Sequence, residues 1–179
     1  TEIRHTVAFA NEYQKPISGF EEGRIYNGYR FVYPLKYNDK YLGSVETSVS
    51  MESIINDLKK ELSSELSFII KKSVVNNTVF EEEKDNYVQC SINNDFYHEK
   101  SISKDENEIM GTIIKEYFEK NPTQAKNNLK SGEIFNFYSF YKNNYYITTY
   151  LPLKNIVSNQ TVAYIIILNE HNDLHDFIV

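Results

Sequence analysis

Apolar and polar positions alternate most regularly between residues 29 and 49. The first run, residues 29–36, is dense in aromatic and β-branched side chains, the types that suit a pleated, half-buried surface. In the second, residues 41–49, Tyr41, Gly43, Val45, Thr47 and Val49 alternate with Leu42, Ser44, Glu46 and Ser48, which predicts a strand with one covered face. Asn38 and Asp39 supply the turn that joins the two runs into a hairpin. Gly19, Gly23 and Gly28 punctuate a turn-rich lead into it, each marking a turn or a close approach of backbone. No acid, base and nucleophile of catalytic spacing sit on the hairpin, so it reads as the floor of a binding module.

Helical spacing appears on either side. Ile3, Val7 and Ala10 predict a short helix that ends before Pro16, because the residue preceding a proline is pushed out of the helical region. Ser50 has the chemistry of an N-cap, and Met51, Ile54, Ile55, Leu58 and Leu62 follow on one helical face. Residues 66–75 are β-branched and aromatic enough for a strand. Asp105 and Glu108 have capping-box spacing, and Ile109, Met110, Ile113, Ile114, Tyr117 and Phe118 continue as an amphipathic stripe. Asn121-Pro122 stops that helix and starts a shorter one ending near Gly132. Three strands, 134–141, 145–153 and 161–169, then predict an antiparallel meander, with the first turn at Lys142, Asn143 and Asn144. The tail from His171 to Val179 is short and mixed.

The alternation also repeats. Tyr33-Pro34-Leu35-Lys36 closes one strand candidate and Leu151-Pro152-Leu153-Lys154 another, 118 residues apart, and each is followed by a polar turn and a further β-rich run. That order of strand, proline, turn and strand suggests a tandem repeat of two small α+β modules.

Composition narrows the function. A chain of 179 residues that is 41% hydrophobic can bury a core as one ordinary domain or two small ones. Its net charge of −6 argues against nucleic acid as a partner. Cys90 is the single cysteine, which excludes an internal disulfide and a cysteine-rich zinc site. No run approaches the ~20 apolar residues of a membrane span, and no secretory signal is present. The opening at Thr1, with methionine only at Met51 and Met110, leads to the expectation that the chain is part of a longer protein. The 15 tyrosines and 11 phenylalanines crowd the strand candidates, most of them suited to core or sheet surface and a minority to a pocket wall.

The blocks GFEEGRIYNGYRFVYPL and YLGSVETSVS resemble the signature of double Cache domains, the PAS-like extracytoplasmic sensors of bacterial histidine kinases, diguanylate cyclases and chemoreceptors. NYVQCSINNDFY, GEIFNFYSFYKNNYYITTYLPLKN and TVAYIIILNE resemble the second module of that family. The resemblance implies an α+β fold of PAS-like antiparallel sheets with flanking helices. It divides the chain into a partial membrane-distal module, residues 1–64, and a membrane-proximal module, residues 65–179. Only 18 residues precede the first block, where the family has a long helix and further strands, so the first module is expected to be incomplete. The implied function is ligand sensing in the periplasmic part of an inner-membrane receptor.

For such a sensor the candidate ligand groups are Arg24 and Arg30, which can hold a carboxylate bidentately, with Tyr26, Tyr29, Tyr33 and Glu46 nearby. On one strand Arg30 faces opposite to Tyr29 and Tyr33, so they cannot all line one cavity. In the second module Tyr87, Tyr97, Tyr138 and Tyr150 are the corresponding amphipathic aromatics. The expected partner is a small molecule, and no cofactor is implied. A different reading is a protein-interaction module that docks a periplasmic binding protein or a second copy as a homodimer. An enzyme has the least support: His171 and His175 have helical spacing but lack the glutamate of an H-E-x-x-H site, and consecutive Glu81, Glu82, Glu83 and Asp85 cannot all face one ion. Cys90 is expected to be structural and unpaired.

Overall fold

Asn38 and Asp39 both take positive φ, 47° and 61°, which gives a two-residue turn whose twist matches the strands it joins. Lys142 and Asn143, at 49° and 69°, do the same for the second hairpin. In the computed structural model, which describes residues 4–103 and 108–171, these turns lie in two antiparallel sheets with helices packed around them. The small sheet holds β1 (Ile17–Glu21), β2 (Gly28–Tyr37) and β3 (Lys40–Ser50) in that order, with α1 (His5–Tyr13) against it. Then come α2 (Met51–Leu62), β4 (Glu65–Lys71), α3 (Lys72–Thr78), a 3₁₀ turn (Glu81–Asn86), β5 (Tyr87–Gln89), β6 (Phe96–Glu99) and α4 (Lys100–Ser103). The chain continues through α5 (Glu108–Lys120), α6 (Pro122–Ser131), β7 (Phe135–Tyr141), β8 (Asn144–Lys154) and β9 (Thr161–His171). The large sheet runs β5-β6-β4-β9-β8-β7, so the first hairpin and the β7–β9 meander lie in separate sheets, as the sequence pattern requires.

Both faces of the large sheet are covered. Phe68 and Ile70 of β4, Leu153 of β8 and Ile165 of β9 point to one side, where Met51 and Ile55 of α2 and Phe20 of β1 complete a core. Ile69, Tyr150, Tyr164 and Ile166 point to the other and pack under Met110, Ile113 and Ile114 of α5 and Leu129 of α6. Burial on both faces explains why β4 is apolar without alternation. The first core takes residues from both sides of position 64, so the small sheet is seated on the large one.

Two of the helix signals act as read. The Ser50 hydroxyl accepts the Ser53 amide at 3.1 Å, and Pro122 opens α6, which stops at Gly132. Two expectations need correction, and the acidic run is solvated as its sequence suggests. The turn-rich lead contains a strand, β1, and Gly19 within it marks a close approach: a Cβ there would stand 2.7 Å from the Ile156 side chain. The strand expected over 66–75 ends at Lys71, where α3 begins, after a last bond in register with β6 from the Lys72 amide to the Asp95 carbonyl at 2.8 Å. The acidic run forms an exposed 3₁₀ turn with its own local pairs, Lys84 to Glu81 at 2.7 Å and Asn86 to Glu83 at 2.7 Å. Asp105 and the tail from residue 172 lie outside the described residues.

The two Pro-Leu-Lys segments match in detail. In β2 the pairing with β1 ends at Val32, two residues before Pro34, and the register against β3 shifts between Leu35 and Lys36. In β8 the pairing with β7 ends at Tyr150, two residues before Pro152, and the register against β9 shifts between Leu153 and Lys154. Each proline therefore sits where a neighbouring strand has stopped, and its missing N–H costs no ladder bond.

One buried side chain joins the sheets. Asn27, between β1 and β2, is fully buried and donates its amide to the Tyr87 hydroxyl at 2.7 Å and to Glu99 Oε2 at 3.0 Å, while its backbone carbonyl accepts the Met51 amide at 2.9 Å. Asn155 adds a second tie, donating to Glu22 at 2.9 Å, and the Ile156 amide donates to the Phe20 carbonyl at 3.0 Å. Among the described residues no helix is long and apolar enough to cross a membrane.

Burial pushes the Glu99 carboxyl above its usual range, with the nearby Glu52 charge adding and the Asn27 and Ser101 hydrogen bonds opposing. The folded state then holds this proton to higher pH than the unfolded chain does, so the contribution of this group to stability is full below about pH 4.3 and is lost as pH rises through the folded value. Glu99→Gln keeps an acceptor for Asn27 and removes that decline. Urea midpoints of the variant should exceed those of the wild type by a margin that grows with pH, and parallel pH profiles would contradict a buried carboxyl.

Candidate functional site

The alternation of β2 puts Arg30 and Val32 on the face of the small sheet that α1 covers, and both are buried, Arg30 to 2% exposure. A guanidinium held there loses water on every side and needs partners. Ser48 pairs with Arg30 across the ladder and Glu46, opposite Val32, lies two pairs further on, so both share its face. Arg30 Nη1 is 3.7 Å from Glu46 Oε1, and Nη2 donates to the Tyr26 carbonyl at 2.8 Å. The Tyr26 ring stacks on the guanidinium at 4.5 Å, and its hydroxyl lies 2.6 Å from Ser48 Oγ. That hydrogen bond holds the Tyr26 hydroxyl below its usual pKa, with burial opposing and Arg30 adding to the effect.

The 22–27 loop therefore folds back over Arg30, and Gly23 makes this fit. A Cβ at that position would stand 2.1 Å from the Tyr26 carbonyl oxygen and 2.5 Å from Arg30 Nη2. From the same loop Arg24 lies over the Phe80 ring at 4.9 Å, and its carbonyl accepts the Phe80 amide at 3.0 Å. Arg4, just before α1, pairs with Glu46 and stands 4.0 Å from Glu21. Glu21 is itself buried and accepts the Thr6 amide at 3.0 Å and the Thr6 hydroxyl at 2.7 Å.

These groups enclose a cavity of about 320 Å³ lined by Arg4, Arg24, Tyr26, Arg30, Glu46 and Phe80. Three guanidiniums face two carboxylates, Glu46 and the nearby Glu21, a local excess of one positive charge. Each arginine also keeps its Nε buried without a hydrogen-bond acceptor among the described residues. Buried donors of this kind ordinarily find a partner. A carboxylate entering from outside meets both needs, charge and acceptors, and the Tyr26 and Phe80 rings offer apolar walls for the body it is attached to.

Of the residues singled out in the sequence, the structure brings Arg24, Arg30, Glu46 and Tyr26 together. Tyr29 points to the opposite face of β2 and packs edge-on against Phe20 at 6.3 Å. Tyr33, on that same face but beyond the core, is 51% exposed. Tyr87 lies beneath the loop in its bond with Asn27, and Tyr97 sits 6.4 Å from it under Lys72. Tyr138 is 68% exposed on β7. Tyr150 is buried in the core and stacked on Phe135 at 4.5 Å. None of these six lines the arginine cavity. Arg4 and Phe80 do, and nothing local marks them: the fold delivers one from the start of α1 and the other from the residue before the 3₁₀ turn.

Cys90 is buried, and its thiol is raised by that burial but lowered overall by the His98 hydrogen bond and charge, with the Ile92 and Asn93 backbone adding. His175 lies outside the described residues, within which no group of three metal-ligating side chains occurs.

No family model matches the sequence, and no curated protein does. Among solved structures, the chain is similar to the ligand-binding domain of the Pseudomonas fluorescens chemoreceptor CtaA, solved with L-isoleucine, at 13% identity and a TM-score of 0.38. The alignment covers 97% of this chain and spans 60% of that one. A likeness at that score carries no argument about the site.

The contact at Gly23 gives a direct test of the loop. Gly23→Ala forces the Tyr26 carbonyl and Arg30 apart, and overpacking of this kind costs about 1–3 kcal/mol. Urea unfolding should register that loss, and an unchanged midpoint would mean the loop does not hold this conformation.

Proposed function

We propose that the chain is a small-molecule sensor module of the Cache type, the extracytoplasmic part of a bacterial membrane receptor, and that it binds an organic carboxylate between Arg24 and Arg30 without turning it over. The observation that carries this reading is the set of three guanidiniums with buried, unsatisfied Nε donors around one cavity. Its volume, about 320 Å³, lies at the lower end of small-ligand sites, which suits an amino acid or a short organic acid. The matched Pro-Leu-Lys segments support a tandem division into residues 1–64 and 65–179, the first module being partial. In this reading the first module holds the ligand and the second relays its presence toward the membrane and an output domain.

A second reading has its own observation. Tyr33, Leu35, Val45 and Val49 leave an apolar patch exposed on the face of the β2–β3 hairpin opposite α1, and β3 is an edge strand. A face of that kind suits a protein-interaction or dimerisation module, whose partner is a second copy or a periplasmic binding protein.

A thermal-shift series of amino acids and short organic acids separates the two. A ligand that binds only the folded state stabilises it by about 2.7 kcal/mol at a hundredfold excess over Kd. The shift should vanish in Arg24→Ala and shrink in Arg30→Lys, which keeps the charge but loses the planar fork. Tyr150→Ala is no test of ligand contact, since it opens the core. No shift across the series, together with concentration-dependent dimerisation by sedimentation, would overturn the sensor reading in favour of the interaction one.

A further inference from the structure

We infer a second anion site, independent of the arginine cavity, in the groove between α3 and α6, and propose that it takes a small organic dianion with an apolar body, such as a phosphate monoester. The groove encloses about 490 Å³ and is lined by Lys71, Lys72, Lys126 and Lys130 against one acid, Asp95. In a chain whose net charge is −6, four lysines and a single acid lining one concavity run against the bulk composition.

Two of the lysines are held in place. Lys71 Nζ donates to the Thr161 carbonyl at 2.5 Å, while Lys72 Nζ donates to Gln89 Oε1 at 2.7 Å and lies 5.1 Å from the centre of the Tyr97 ring. An ammonium has three donors, so Lys71 keeps capacity for a further acceptor, whereas Lys72 turns its ammonium to Gln89 and Tyr97, which do not line the groove. The other two, Lys126 and Lys130, stand one turn apart on α6, and among the described residues neither has an ion-pair partner. Like charges at that spacing repel and destabilise a helix unless an anion lies between or beside them. Phe96 and Leu129 line the same groove, and both belong to the core under α5 and α6, so its base is apolar and rigid. A charged rim over such a base fits a ligand with a dianionic head and a compact apolar body better than it fits an inorganic ion.

An NMR titration of the folded chain with phenyl phosphate, and separately with inorganic phosphate, tests this at constant ionic strength. Saturable shifts should appear in the amides of residues 93–96 and 126–130, with phenyl phosphate binding about tenfold more tightly because its ring is buried on Phe96 and Leu129. The surface double variant Lys126→Glu, Lys130→Glu should abolish the shifts while leaving the melting temperature and the β4 and β9 amides unchanged. Arg24→Ala should leave them intact, which keeps this site distinct from the arginine cavity. Non-saturable shifts, equal affinity for the two probes, or binding that persists in the double variant would overturn the proposal.

Discussion

Burying the Arg30 guanidinium is the constraint on which the site depends. Taking such an ion out of water costs several kcal/mol even after relaxation, and the cost is met only by close, well-directed partners. The strand alone supplies Glu46 and Ser48 on the same face. The rest must come from the loop before it, which folds back to offer the Tyr26 carbonyl and ring. That return is possible only with no side chain at Gly23. Once the loop is so placed, Arg24 reaches Phe80 and Asn27 drops into the space between Tyr87 and Glu99. The wall of the cavity and the clamp between the two sheets are consequently one covalent segment.

This explains why the small sheet is not a free appendage. A unit of this size buries a smaller share of its surface than a full domain does. Phe20, Met51 and Ile55 find their core on the large sheet, against Phe68, Ile70 and Ile165. An event at the arginine cavity is therefore mechanically close to the large sheet, through the Asn27 hydrogen bonds and through α2, whose first amide bonds to the Asn27 carbonyl. The repeated Pro-Leu-Lys shift adds that both sheets solve the same problem, a strand outrunning its neighbour, in the same way.

Much of this is legible in the sequence where the cause is local. Asn38-Asp39, Ser50, Pro122 and the stripe from Ile109 to Phe118 each carry their own stereochemical reason and mark turns, caps and a helix that the structure contains. Strand parity alone separates Arg30 from Tyr29 and Tyr33, because neighbouring side chains on a strand must point to opposite faces. What escapes a sequence reading is set by tertiary contact. β1 hides behind a glycine needed for Ile156, and β5 and β6 are too short to alternate visibly. Arg4 and Phe80 join the cavity from segments with no local signal. Tyr150 looks like a pocket tyrosine in sequence, but aromatic neighbours on adjoining elements enclose it.

The most direct measurement of the link between cavity and large sheet is amide hydrogen exchange in Asn27→Ala. Losing that side chain leaves the Tyr87 hydroxyl and Glu99 carboxyl without their shared donor. If the 22–28 loop joins the two sheets, exchange should accelerate together in residues 22–28, in Tyr87–Gln89 and in Phe96–Glu99, while β7 and β8 stay protected. Acceleration confined to residues 22–28 would contradict it, and the cavity would then belong to the small sheet alone.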